Sequence, residues 1–246
     1  MSRRHADGPN GVDGRPEPYW PKRPGFGVAY WVLRYGLEVL MRLLYRVKVE
    51  GSANVPRKGS VILAANHLSA FDSPFFAIGF RRRITALANA RYFESKNGWF
   101  FRGMAQIPLI PGDDASKDLA FASARELLGH GKILGIFPEG NRSLDGKLHR
   151  GRLGVAVLAR EAGVPVVPAG MVGTFDVFPK GAKKPKFFRR ITIRVGEPLT
   201  HPSGNAVDDR AFTDAVMASL AELTGQERSD TYTESRSRRR PEQAAS

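Results

Sequence analysis

From residue 46 onward, short apolar runs alternate with longer amphipathic stretches, and each run ends at a polar or glycine-bearing turn. Val61-Ile62-Leu63-Ala64-Ala65 is unbroken by any polar residue, as a strand buried on both faces should be, and residues 132–137 form a second buried strand, apolar after Lys132. Residues 84–88, Ile107-Pro108-Leu109-Ile110 and the proline-marked stretch 164–172 predict further strands, and residues 46–50 and 191–195 alternate apolar with polar. Between them the spacing predicts helices. One runs from Pro74 to Phe80 with Ser73 as its N-cap, and one covers 97–104. A third runs from Ser116 to Leu128 and is stopped by Gly129 and Gly131, a fourth covers 153–162 and stops at Gly163, and a last covers 207–223. Regular alternation of the two kinds of element implies an α/β fold: a single domain over residues 47–225, with a mostly parallel central sheet flanked by helices.

The two ends differ from this middle. Residues 1–25 are rich in glycine, proline and charge, and residues 226–246 are polar and arginine-rich without periodicity; both read as disordered. Residues 26–46 predict an amphipathic helix. Arg34, Glu38, Arg42 and Arg46 recur every four residues on one side, and Tyr30, Leu33, Leu37, Leu40, Met41 and Leu44 fill another. Such a helix either packs on the domain's own core or lies in a membrane interface; its aromatic start and its arginines favour the second.

Composition narrows the chemistry. The chain has no cysteine, which excludes disulfides, thiolate metal sites and a cysteine nucleophile. The net charge is +14. Residues 1–27 hold five basic and three acidic groups and residues 226–246 five and four, so +11 remains on the middle of the chain. A basic body calls for an anionic partner. Residues 180–190 contain six cations interleaved with Phe187 and Phe188, which suits a loop near anionic headgroups or a merely solvated one. Arg81-Arg82-Arg83 suits a solvated cap at a helix end, or a ligand contact. No stretch approaches the roughly 18 uncharged apolar residues of a membrane span, and no secretion signal opens the chain. The expectation is therefore a protein that is neither exported nor membrane-spanning.

Two of the buried strands end in polar clusters, and in parallel sheets functional groups collect beyond the strands' carboxyl ends. The first is Asn66-His67-Leu68-Ser69-Ala70-Phe71-Asp72. An imidazole beside a carboxylate is the minimal apparatus of a general base. There is no Gly-x-Ser-x-Gly elbow, so attack by a substrate hydroxyl fits better than a covalent acyl-enzyme. The second cluster is Phe137-Pro138-Glu139-Gly140-Asn141-Arg142-Ser143. Its Arg142 offers a planar fork for phosphate, Gly140 admits close approach of a ligand, and Glu139 is placed to pair with Arg142 or to orient a hydroxyl. Lys147, His149, Arg150 and Arg152 follow and extend either an anion site or the solvated start of the next helix.

These two blocks, with Val164-Pro165-Val166-Val167-Pro168-Ala169-Gly170 third in order, resemble the signature blocks of the 1-acylglycerol-3-phosphate acyltransferases over roughly residues 45–200. The resemblance implies transfer of a fatty acyl group from acyl-CoA or acyl-carrier protein to the hydroxyl of lysophosphatidic acid. His67 would be the base and Asp72 its partner. Asn66, Glu139, Gly140, Asn141 and Arg142 would bind the acceptor, and Pro168 would line the acyl or acceptor pocket. No metal or cofactor is expected beyond the donor thioester, nor is nucleic acid. The family's helical membrane platform matches residues 26–46, which places the protein peripherally on the cytoplasmic face of the plasma membrane. Asn141 stands where the family usually has threonine. Asn89 and Pro111-Gly112-Asp113 stand where it often has cations, and Arg91 and Lys96 are the nearest replacements. Those departures keep open another lysolipid or an acylated amino-acid lipid as acceptor. The charge alone also allows a basic membrane-binding protein without catalysis.

Overall fold

The computed structural model of the chain describes residues 26–233 except 97, 105 and 203, so the expected disorder of residues 1–25 and 234–246 lies outside the described residues. Strands β1 (Arg46–Glu50), β2 (Val61–Ala65), β3 (Ile84–Asn89), β4 (Ile107–Leu109), β5 (Ile133–Ile136), β6 (Val166–Val172) and β7 (Arg190–Val195) form one sheet. Their order is β1-β7-β6-β2-β5-β3-β4. Neighbours are parallel except β6 and β7, so the mostly parallel α/β domain is as the alternation implies. The helices are α1 (Phe26–Leu44), α2 (Asp72–Ile78), α3 (Arg91–Glu94), α4 (Gly98–Gly103), α5 (Asp114–Gly129), α6 (Gly154–Ala162) and α7 (Asp209–Thr224).

β2 lies at the centre, and the pleat explains its unbroken apolar run. Val61, Leu63 and Ala65 face one layer with Phe75 and Phe76 of α2 and with Met41 of α1. Ile62 and Ala64 face the other, against Leu127 of α5, Leu158 of α6 and Val216 of α7. Gly135 in β5 lets α2 close onto the sheet, since a Cβ there would fall 2.8 Å from the Phe76 ring and 2.9 Å from Ile84.

Several local expectations are corrected. α2 begins at Asp72, and its cap residue is Phe71, not Ser73. α5 is capped by Asp113, whose carboxylate accepts from the Ser116 amide at 2.9 Å; the Ser116 hydroxyl instead accepts from the Ile110 amide. Arg34 is not on a solvated face of α1. It is buried and donates to the Phe80 carbonyl at 2.8 Å, beyond the carbonyl end of α2 where a cation belongs, and to Glu38 at 2.9 Å. Arg82 ties its own loop to two others, through the carbonyls of Pro56 and Gly59 in one and of Gly131 in the other, and the Arg83 guanidinium lies 4.5 Å from the centre of the Tyr30 ring. Two of the three clustered arginines are thus structural. With Arg34 turned inward, α1 exposes a stripe of Val28, Val32, Tyr35, Val39 and Leu43 at helical spacing; Val28 is 72% exposed and Leu43 71%.

Candidate active site

Sheet register brings the two polar clusters together. β2 and β5 are parallel neighbours with Ala64 opposite Ile136, and His67 and Glu139 each lie three residues past that pair. The loops leave the sheet side by side. His67 is then fixed through its own backbone: its amide donates to Glu139 Oε1 at 2.8 Å, and its carbonyl accepts from the Ser143 amide at 2.8 Å. Its ring stacks on Phe137, with centroids 4.1 Å apart and planes 20° apart.

The imidazole faces Asp72. Nδ1 lies 2.8 Å from Asp72 Oδ2, which also accepts from the Leu68 and Ser69 amides at 2.6 and 2.7 Å. Asp72 is fully buried in the first turn of α2, so its position is set by the helix start and by the loop it closes. Facing a carboxylate, Nδ1 carries the proton and leaves the lone pair on Nε2. Nε2 has no protein partner among the described residues, and the side chain is 19% exposed. The arrangement can accept a proton from a hydroxyl brought to Nε2.

Arg142 directly precedes Ser143, whose amide holds His67, so its backbone sits beside the imidazole-bearing residue. The side chain is half-buried and makes no hydrogen bond or ion pair among the described residues, nor does that of Asn141. Gly140 turns with φ +76°, and a Cβ there would fall 2.8 Å from Arg152 Nε.

Three residues expected to bind substrate are buried. Glu139 does not pair with Arg142; it is fully buried and its second oxygen accepts from the His149 amide at 3.1 Å. Burial pushes its carboxyl up to about 8, against the pull of the two amide donors. Asn66 is fully buried and joins β2 to β6: Oδ1 accepts from the Met171 amide at 2.6 Å, and Nδ2 donates to the Met171 carbonyl at 3.1 Å. Pro168 is buried in β6 opposite Ala64. At the positions where the resemblance suggests cations, the side-chain Oδ1 of Asn89 accepts from the Arg91 amide and Asp113 caps α5, while Arg91 and Lys96 are exposed.

Composition assigns residue 226 onward to a disordered tail, but residues 226–233 are laid against the second polar loop as a strap. The Leu148 amide donates to the Glu227 carbonyl, the Ser229 amide to Leu148, and the Arg150 amide to Thr231, each at 2.9 Å. Gln226 Oε1 accepts from Asn66 Nδ2 at 2.7 Å while Gln226 Nε2 donates to the Gly146 carbonyl at 2.8 Å. Thr233 Oγ1 donates to the carbonyl of Glu139 at 2.9 Å. Periodicity gives no signal for such a segment, because its partners are backbone groups far away in the chain.

The chain is similar to known proteins in sequence and in fold. A chloroplastic 1-acyl-sn-glycerol-3-phosphate acyltransferase of Arabidopsis thaliana is 28% identical over 164 residues, covering 63% of this chain and 44% of that protein. A 1-acyl-sn-glycerol-3-phosphate acyltransferase of Bacillus subtilis is 27% identical over 194 residues, 76% of this chain and 92% of the relative. The chain thus spans under half the length of the plant relative and nearly all of the bacterial one. The crystal structure of the 1-acyl-sn-glycerophosphate acyltransferase PlsC from Thermotoga maritima superposes with a TM-score of 0.65 at 27% identity, covering 82% of this chain and 84% of that one. The family model Acyltransferase matches residues 46–172, a span that holds both polar loops and β6, and the chain accordingly belongs to the Acyltransferase family.

Proposed function

We propose that the protein moves a fatty acyl group from a thioester, acyl-CoA or acyl-carrier protein, to the free hydroxyl of lysophosphatidic acid, giving phosphatidic acid. His67 Nε2 takes the hydroxyl proton as the oxygen attacks the thioester carbon. The carbon–oxygen bond forms, the carbon–sulfur bond breaks, and the proton passes from the imidazolium to the departing thiolate. Asp72 holds the tautomer and stabilises the imidazolium. The observation that carries this reading is the pairing of an unpartnered Nε2 with an uncommitted guanidinium, Arg142, on the loop zipped to His67. The names of the relatives favour the same acceptor.

The substrates are lipids, and α1 supplies the means of reaching them. Its exposed stripe lies next to a loop bearing Phe188, which is 74% exposed and whose amide donates to the Leu44 carbonyl at 2.8 Å. Lys183, Lys184, Lys186, Arg189 and Arg190 surround that loop and are exposed. Apolar side chains rimmed by cations suit a monotopic contact with an anionic membrane, on the cytoplasmic face of the plasma membrane in this reading. Among the described residues no helix is long and apolar enough to cross a bilayer.

A second reading keeps the chemistry and changes the acceptor, because neither Asn89 nor Pro111 supplies the cation the resemblance leads one to expect. Purified protein given labelled acyl-CoA with a panel of lysolipids and acylated amino acids decides between them. Transfer to lysophosphatidic acid supports the first reading, and transfer to another acceptor alone selects the second. Vesicle binding without any turnover rejects both.

A further inference from the structure

The geometry points to a phosphate-monoester site assembled by the C-terminal strap, in which Tyr232 sets the guanidinium groups of Arg150 and Arg152 beside the loop that carries Arg142. The inference rests on the acyl-transfer reading for its ligand, because both an acidic lysolipid and the adenosine end of coenzyme A carry such a phosphate.

The four basic residues after the second polar loop are not equivalent. Lys147 is paired with Glu227 at 2.6 Å. The His149 ring lies between Asp145, 3.0 Å from Nε2, and Thr231, 3.3 Å from Nδ1. The side chains of Arg150 and Arg152 make neither an ion pair nor a hydrogen bond among the described residues, yet both are placed: each guanidinium carbon is 5.4 Å from the centre of the Tyr232 ring. This mode of placement matters. A carboxylate partner would use up N–H donors and cancel the charge, whereas an aromatic face orients a guanidinium and leaves its five N–H groups and its charge for a ligand. Two forks so prepared match the several oxygens of a phosphate monoester.

Position agrees with that chemistry. Arg152 passes over the Gly140 backbone so closely that any side chain there would strike it, which puts its head against the loop leading to Arg142. A cavity of about 280 Å³ opens beside Arg150, walled by Arg228, Ser229 and Asp230 of the strap and by Met217 and Asp214 of α7, the last of these neutralised by Arg210. The strap is tied at both ends, by the backbone ladder to Leu148 and Arg150, the Gln226 bridge to Asn66 and the Thr233 bond to Glu139. Arg150 and Arg152 thus take over the part that Asn89 and Pro111 leave unfilled.

The test uses full-length protein and three variants, Y232A, Y232F and R150Q/R152Q, each first checked for a native melting transition. Glycerol 3-phosphate binding by calorimetry is read beside the KM values for lysophosphatidate, acyl-CoA and acyl-dephospho-CoA. The site predicts glycerol 3-phosphate affinity about tenfold weaker in Y232A and R150Q/R152Q, near 1.4 kcal/mol, and restored in Y232F. A matching rise in the lysophosphatidate KM assigns the phosphate to the acceptor. A rise for acyl-CoA but not for acyl-dephospho-CoA assigns it to the donor. Unchanged binding and KM values in R150Q/R152Q, in a protein that still transfers acyl groups, overturn the site and leave the acyl-transfer reading standing. Binding that depends on these arginines, in a protein that acylates nothing, upholds the site and sinks that reading.

Discussion

Glu139 holds the backbone of His67: its Oε1 accepts from the His67 amide at 2.8 Å, while its Oε2 reaches the amide of His149 at 3.1 Å. A glutamate in a block that resembles a substrate-binding motif is therefore a buried cross-brace between the two loops. Its carboxyl is pushed up to about 8 by burial, from an ordinary 4.5. Between those values the folded protein binds a proton that the unfolded chain releases. Stability due to this group is fully present below about pH 4.5 and is lost as pH rises through 8, at up to about 1.4 kcal/mol per pH unit. Urea unfolding from pH 5 to 8 should show that decline in the wild type and a flatter curve in E139Q. Equal slopes in both would show that Glu139 does not carry it.

Asp72 Oδ2 takes all three donors, so an amide whose oxygen keeps its place retains the contacts and loses the negative charge that stabilises the imidazolium. D72N should lower kcat by about 10²–10⁴ through the loss of that charge, with a much smaller change in KM. A kcat within a factor of three of wild type would detach Asp72 from the chemistry.

Arg142 has no protein partner among the described residues to lose, so its removal should tell on the substrate rather than on the fold. A charge-assisted hydrogen bond contributes about 1.5–3 kcal/mol, which makes R142A roughly 10–100-fold poorer in KM for a phosphate-bearing acceptor at an unchanged melting temperature. A normal KM would move the anion away from Arg142.

The α1 stripe is tested by V32D/V39D, which puts two charges on a surface proposed to face lipid while sparing the inward Tyr30, Arg34 and Met41. Partition onto vesicles containing anionic lipid should fall at least about tenfold, since each charge opposes interfacial burial. Wild-type partition in this variant would place the membrane contact elsewhere.

The sequence discloses the sheet's strands and the His67–Asp72 pair because those signals are local: an apolar run, a polar loop, a helix start. The direction in which α1 faces is not local. A charged residue at every fourth position reads as a wet face, yet Arg34 is drawn inward by the open carbonyl beyond α2, a partner 46 residues away. Strand order is equally hidden, and with it the fact that Glu139 emerges beside His67 and accepts from its amide. The strap is hidden for a third reason. Residues 226–233 have the composition of a tail, and what orders them is a set of backbone donors and acceptors and the Asn66 amide, none visible in a hydropathy pattern.

The most direct measurement is single-turnover transfer of a labelled acyl group from acyl-CoA to lysophosphatidic acid by wild type and H67A, on protein verified as folded. The account predicts phosphatidic acid from the wild type and a rate at least about 10³-fold lower from H67A, the loss expected when a general base is removed. An H67A rate close to wild type would contradict it.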